Sequence, residues 1–153
     1  MKFEVNEVTK TAVARAVADI SPNVAFLLWP HDRFHDHEVA STLSLIALRH
    51  AGFLIERSAQ VRPAERLYYF DNGPGHTIGF EPDTFVDISD EWSNAQEWLG
   101  KLAAVVSGTS FDSTKIGGSQ RAKEALARYR GYSCGVRFAE ALKAFQSYPT
   151  NIF

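Results

Sequence analysis

A chain of 153 residues has the length of one domain, and near ~150 residues a fold buries roughly 70% of its unfolded surface, so no staple is required to hold a core. Hydrophobic residues at 45% and charged residues at 22% exclude general disorder, and a lone cysteine, Cys134, excludes an intramolecular disulfide. A net charge of −2 and a pI near 6.2 disfavour a nucleic-acid binder, no apolar run approaches the ~20 residues of a membrane span, and acids interrupt the start where a signal peptide is apolar, so a cytoplasmic protein is expected.

Val5, Val8, Ala12, Val13, Ala16, Val17 and Ile20 recur at helical spacing until Ser21-Pro22 stops them, which predicts a first helix. Val24 to Trp29 is a short apolar run closed by Pro30, the pattern of a strand buried on both faces. After a His-rich turn, Val39, Leu43, Ile46, Ala47 and His50 trace a helix face, with Asp36 as N-cap and Gly52 as C-terminal stop. Alternation at Phe53, Ile55, Ala59 and Val61 predicts a strand, and strand, helix, strand permits a parallel pair with a right-handed crossover.

Leu67 to Asp71 and His76 to Phe80 flank Asn72-Gly73-Pro74-Gly75, which reads as an antiparallel hairpin. Phe85 to Ile88 adds a short edge strand. Ser93 and Gln96 have capping-box spacing, and Trp92, Leu99, Leu102 and Val106 line a helix ending at Gly108. Thr109 to Gly118 is a loop, Ser119 to Arg130 a helix, and Gly135 to Gln146 a last helix burying Phe138, Leu142 and Phe145. The order predicts a single α+β domain over 1–153, with a mixed sheet of about four strands covered by helices and a helical C-terminal third.

The charges are unevenly placed. From Leu67 to Gly100 there are seven acids and no Lys or Arg, whereas Lys101 to Phe153 holds eight bases and three acids. The acidic stretch also carries Tyr68, Tyr69, Phe70, Phe80, Phe85, Trp92 and Trp98, and aromatics supply contact area where carboxylates steer a basic partner. The main functional expectation is therefore an inhibitor or immunity-type protein of bacterial or phage style. It would occlude a basic protein, such as a nuclease or other toxin, through Asp71, Asp83, Asp87, Asp90, Glu91, Trp92 and Glu97, with no catalytic residue and no cofactor. The competing account is that the aromatics are core and the two charged halves neutralise each other.

A second expectation rests on His31-Asp32-Arg33-Phe34-His35-Asp36-His37, three imidazoles and two carboxylates in seven residues. These are ligand types for zinc or another divalent metal. This alternative is a small metal-dependent hydrolase using His31, His35, Asp36 and His37, with His76 as a distant fifth candidate. Its bland counterpart has Asp36 capping a helix, Asp32 and Glu38 at the helix's positive end, and the histidines exposed. A third reading has the basic C-terminal helices, with Arg121, Arg128, Arg130 and Arg137, contacting nucleic acid. Lys115-Ile116-Gly117-Gly118-Ser119 lacks the spacing of a phosphate-binding loop, and no family signature surrounds Cys134.

Overall fold

The computed structural model describes residues 4–56, 61–73 and 75–149. Four helices and a four-stranded mixed sheet make an α+β fold, with strands in the order β1-β2-β4-β3. The chain divides into two compact units, one holding the described residues up to Asp83 together with those from Leu142 onward, the other Thr84–Ala141.

In the first unit, helix α1 spans Glu7–Ile20. Asn6 caps it: the Asn6 side chain accepts from the Thr9 backbone N–H at 3.0 Å, and the Thr9 hydroxyl oxygen accepts from the Asn6 N–H at 3.0 Å. Such reciprocal pairs satisfy donors that the first helical turn cannot use internally. Ser21 ends the helix in the left-handed region at φ 48°. Strand β1 is Val24–Leu28, helix α2 His35–Leu54 and strand β2 Arg66–Phe70. β1 and β2 pair in parallel, from Val24 against Arg66 to Leu28 against Phe70, with α2 between them in the chain. Helices α1 and α2 meet through Ala14, Ala47 and Ala51, all buried, where small side chains let two backbones approach closely. The sheet face beneath α2 carries Leu27, Leu67 and Tyr69, packed with Leu48 of the helix and with Val17, Trp29, Phe80 and Phe145.

The second unit contains strand β3 (Thr84–Asp87), helix α3 (Trp92–Val106) and helix α4 (Gly118–Cys134). Its centre is Phe138, 1% exposed, with the Trp92 ring stacked on it at 4.2 Å and the Arg128 and Arg137 guanidinium groups 4.8 and 5.1 Å from its centroid. Helices α3 and α4 are tied by a reciprocal amide pair. Gln96 Nε2 donates to the Gln120 carbonyl at 3.2 Å, and Gln120 Nε2 donates to the Gln96 carbonyl at 3.0 Å. Gly100 makes this approach possible, because a Cβ there would lie 2.7 Å from the Phe111 ring and 2.9 Å from the Gln120 amide.

Strand β4, Ala139–Ala144, replaces the last helix expected from the sequence. Ala, Glu, Leu and Lys favour helix locally, but Tyr68 pairs antiparallel with Ala144 and Phe70 with Leu142, and Asp83 N–H donates to the Leu142 carbonyl at 3.0 Å. Those partners lie far away in sequence, so periodicity within the segment could not reveal them. The strand expected from Phe53 is also corrected, because α2 continues through Leu54; Ala59 lies outside the described residues. The parallel partner of β1 is β2, and Gly52 is buried inside α2 rather than ending it. Asp36 is not the N-cap of α2, since Phe34 takes that place, and no side chain of Ser93 caps α3, whose N-cap is Glu91. Instead of forming a hairpin with β2, the His76 segment bridges to Asp32 through Thr77.

Candidate metal centre at the ends of the parallel strands

Parallel neighbours direct their carboxyl ends to the same edge, and the segments that follow them form a crevice there. After β1 and β2, residues 31–33 and 76–78 come side by side. Arg33 N–H donates to the His76 carbonyl at 2.9 Å and Ile78 N–H to the His31 carbonyl at 2.9 Å, flanking the isolated antiparallel bridge between Asp32 and Thr77. Trp29 Nε1 donates to the Ile78 carbonyl at 2.8 Å and pins the second segment from beneath. The chain then enters α2, whose first turn carries His37.

These connections gather Asp32, His37 and His76, each offering one ligand atom within 4.8 Å of the others. The Asp32 side chain is 1% exposed and that of His37 is 26% exposed. Asp32 Oδ1 accepts from the Phe34 N–H at 2.9 Å, and Oδ2 lies 3.1 Å from His37 Nδ1. Burial is the largest influence on the Asp32 carboxyl and works against ionisation, yet the Phe34 N–H, the His37 ring and the Asn72 amide together outweigh it and hold its pKa below the ordinary carboxylate value. The imidazoles of His37 and His76 are nearly parallel, 11° apart with centroids at 5.6 Å, and Phe34 packs on them at 5.4 and 4.9 Å.

His76 Nδ1 is buried and has no hydrogen-bond partner among the described residues. A buried polar atom left without a partner costs about 1–3 kcal/mol, and one ring nitrogen of His76 lies within 4.8 Å of a carboxylate oxygen and a second imidazole nitrogen. Two imidazoles and one carboxylate are a suitable donor set for zinc with an open coordination position. Ligand atoms around a tetrahedral ion at about 2.1 Å sit roughly 3.4 Å apart, a little closer than the 4.8 Å within which these three atoms lie. The residues therefore fit a divalent ion.

Only His37 of the four expected ligands belongs to this group. His31 is exposed and meets Trp29 edge-on at 5.9 Å, and Asp36 is exposed. His35, its side chain 82% exposed, stands 4.0 Å from Glu38. Asp32, assigned by the sequence to the helix's positive end, and His76, its remotest candidate, complete the cluster. The missed signal was position: each follows a strand of one parallel pair, but the sequence pattern had placed the second strand in a hairpin.

The acidic residues expected to bind a basic protein are dispersed between the two units. In the first, Asp71 is buried and accepts from the Gly73 N–H at 2.9 Å, while Asp83 pairs with Lys143 at 3.0 Å and accepts from the Ala144 N–H at 2.9 Å. In the second, Asp87, Asp90, Glu91 and Glu97 are exposed. Asp87 accepts from the Ser89 hydroxyl at 2.6 Å and the Ser89 N–H at 2.9 Å, which lowers its pKa. Glu91 accepts from Asn94 at 2.8 Å and Glu97 pairs with Lys101 at 2.5 Å. Trp92 is no exposed anchor, its indole being stacked on Phe138.

No family model and no curated protein matches the chain. Solved structures do. A conserved protein from Thermus thermophilus is similar with a TM-score of 0.72 and 27% identity over 97% of this chain and 63% of that one. The 4-carboxy-2-hydroxymuconate hydratase of Pseudomonas putida is similar with a TM-score of 0.67 and 18% identity, over 98% of this chain and 63% of that one. The N,N′-diacetylchitobiose deacetylase of Pyrococcus horikoshii, complexed with an inhibitor, has a TM-score of 0.64 and 14% identity, over 92% of this chain and 52% of that one. The chain thus spans under two thirds of the length of these proteins, and at the identities of the last two the likeness is one of fold. Two of the three are enzymes, which overturns the inhibitor or immunity-type reading. Among the described residues, no helix is long and apolar enough to cross a membrane.

Proposed function

We propose that the chain carries the metal-binding part of a small metal-dependent hydrolase, with Asp32, His37 and His76 as the protein ligands and zinc as the ion. The observation that carries this reading is the convergence of the three side chains at the carboxyl ends of β1 and β2, with His76 Nδ1 buried and unpartnered. The reactions named for the two enzymes of similar fold support it, because hydration and deacetylation both use water as a reactant.

A bound divalent ion would supply Lewis acidity and a water whose pKa is lowered toward ~7. The chain's own residues do the rest. Asp32 contributes charge and is fixed by the Phe34 N–H, Phe34 packs on both imidazoles and limits their rotation, and the Asp32 backbone N–H donates to Glu38 Oε1 at 3.3 Å, tying the loop to α2. Ser41 adds a second tie by donating to the Leu28 carbonyl at 2.6 Å, which joins the helix to the end of β1.

The test is elemental analysis and zinc titration of the full chain, followed by acetate release from N,N′-diacetylchitobiose and simple N-acetyl amino sugars. Near-stoichiometric zinc that His76→Ala abolishes is the expected result. Protein that takes up no divalent ion at micromolar concentrations would remove the metal reading, and acetate release unaffected by His76→Ala would remove these ligands from the reaction.

A further inference from the structure

The candidate metal centre lies past the carboxyl end of β2. At the other end of that strand, five residues or roughly 15 Å away, a second cavity opens within the same unit. Its volume is about 260 Å³, just under the ~300–1,000 Å³ of small-molecule sites. Arg49 of α2, Glu65 and Leu67 beside the start of β2, and Phe145 and Tyr148 after β4 line it. The walls are built into the sheet. The Tyr148 hydroxyl accepts from the Leu67 N–H at 2.7 Å and donates to the Leu67 carbonyl at 3.2 Å, and the Phe145 N–H donates to the same carbonyl at 3.0 Å. The Glu65 N–H is held in turn by the Asn23 carbonyl at 2.9 Å. Both aromatic residues are thus anchored to backbone before any ligand arrives, and a preformed cavity loses little to ordering when it binds.

Arg49 gives the cavity its chemistry. Its guanidinium lies over the Phe145 ring, 5.1 Å from the centroid, and among the described residues it makes no ion pair and donates no hydrogen bond. Contact with the face of a ring leaves the N–H fork uncommitted, and that fork matches the two oxygens of a carboxylate in parallel hydrogen bonds. Glu65 in the same lining opposes a ligand with two negative charges. Leu67 and the rings of Phe145 and Tyr148 suit an apolar body, best an aromatic one that can stack. We propose that this cavity is a second small-molecule site, for a small aromatic monocarboxylate, with Arg49 taking the carboxylate and Phe145 and Tyr148 flanking the ring. The site is independent of the metal-dependent reading, since none of its lining residues belongs to the candidate metal centre.

The experiment titrates 3-phenylpropionate into the full chain and its Arg49→Gln and Arg49→Lys variants, followed by calorimetry and by backbone amide shifts in NMR spectra. 3-Phenylpropanol and inorganic phosphate serve as probes that keep the body or the charge alone. The acid is expected to bind the wild type saturably and Arg49→Gln about tenfold more weakly or worse, the effect of losing hydrogen bonds between charged partners. Arg49→Lys should also bind more weakly than wild type, because an ammonium keeps the charge without the fork. Amide shifts in the wild type should centre on Ala64, Leu67 and Gln146, which line the cavity. Folded wild type that takes up no acid at millimolar concentration would overturn the site, as would equal binding of the alcohol or unchanged affinity in Arg49→Gln. Phosphate bound as tightly as the acid would overturn the monocarboxylate assignment. Shifts centred on residues 31–37 and 76 would place the acid at the metal centre and overturn the second site, a result that needs no variant to fold.

Discussion

Asp32→Asn separates a metal ligand from a purely structural carboxylate. The amide has nearly the same volume and keeps one oxygen to accept the Phe34 N–H now bonded at 2.9 Å. With that oxygen engaged, the new NH2 is turned to His37 Nδ1, at the place where Oδ2 now stands 3.1 Å away. One ligand loses its charge and a second has its lone pair tied up. Loss of an outer partner of a metal ligand costs 10–100-fold in affinity, so impairing two ligands at once should weaken zinc binding by at least ~100-fold, about 2.7 kcal/mol at 25 °C. The metal-free protein should melt within a few degrees of wild type, because every donor near residue 32 retains an acceptor. Asp32→Ala differs. It leaves the Phe34 N–H without its acceptor at a cost of ~1–3 kcal/mol, and at roughly 2–4 °C per kcal/mol for a chain of this size the melting temperature should fall by about 2–12 °C. Chelator-competition titration and thermal unfolding of the metal-free proteins give both numbers. Wild-type zinc affinity in Asp32→Asn would refute the assignment of Asp32 as a ligand, and an Asp32→Asn protein as unstable as Asp32→Ala would refute the hydrogen-bond reasoning.

His31→Ala and His35→Ala should leave zinc affinity within a few-fold of wild type, because both rings are exposed outside the cluster; equilibrium titration checks this, and a hundredfold loss for either would show that the ligand set is misassigned. The Asp32 carboxyl has its pKa lowered in the fold, so its contribution to stability is complete above the unfolded value of about 3.9 and is lost as pH falls through the lower folded value. Urea midpoints of the metal-free protein should therefore fall more steeply below about pH 4 in wild type than in Asp32→Asn, and parallel curves would count against that charge. Phe138→Ala removes a ring that is 1% exposed and stacked by Trp92, which should cost about 3–5 kcal/mol, read as a lower urea midpoint, and a loss below 1 kcal/mol would mean that this ring is not the centre of its unit.

The elements whose information is local were legible in the sequence. Helices at α1 and α3 and a strand at β1 were legible from spacing and run length, and the α+β class follows from their order, but the faces were not: Val8, Ile20, Phe26 and Val106, expected inward, are exposed. The His-rich stretch also contained one residue of the candidate cluster among its four expected ligands, His37, together with Asp32. Only tertiary pairing decided that Ala139–Ala144 is a strand, because the energy that overrides its helical preference comes from partners near residues 67–70 and 83. The same holds for the candidate site. His37 was visible because it sits within the cluster of ligand types, whereas His76 is 39 residues further along and reaches it only through the bridge between Asp32 and Thr77. The charge segregation misled for another reason: Asp71 is buried, but Asp87, Asp90, Glu91 and Glu97 are exposed, and exposed carboxylates do not by themselves distinguish an inhibitor from an enzyme. Local periodicity indicates where a helix or strand can form, and the packing and pairing of distant segments determine which residues turn inward and which of the polar ones meet.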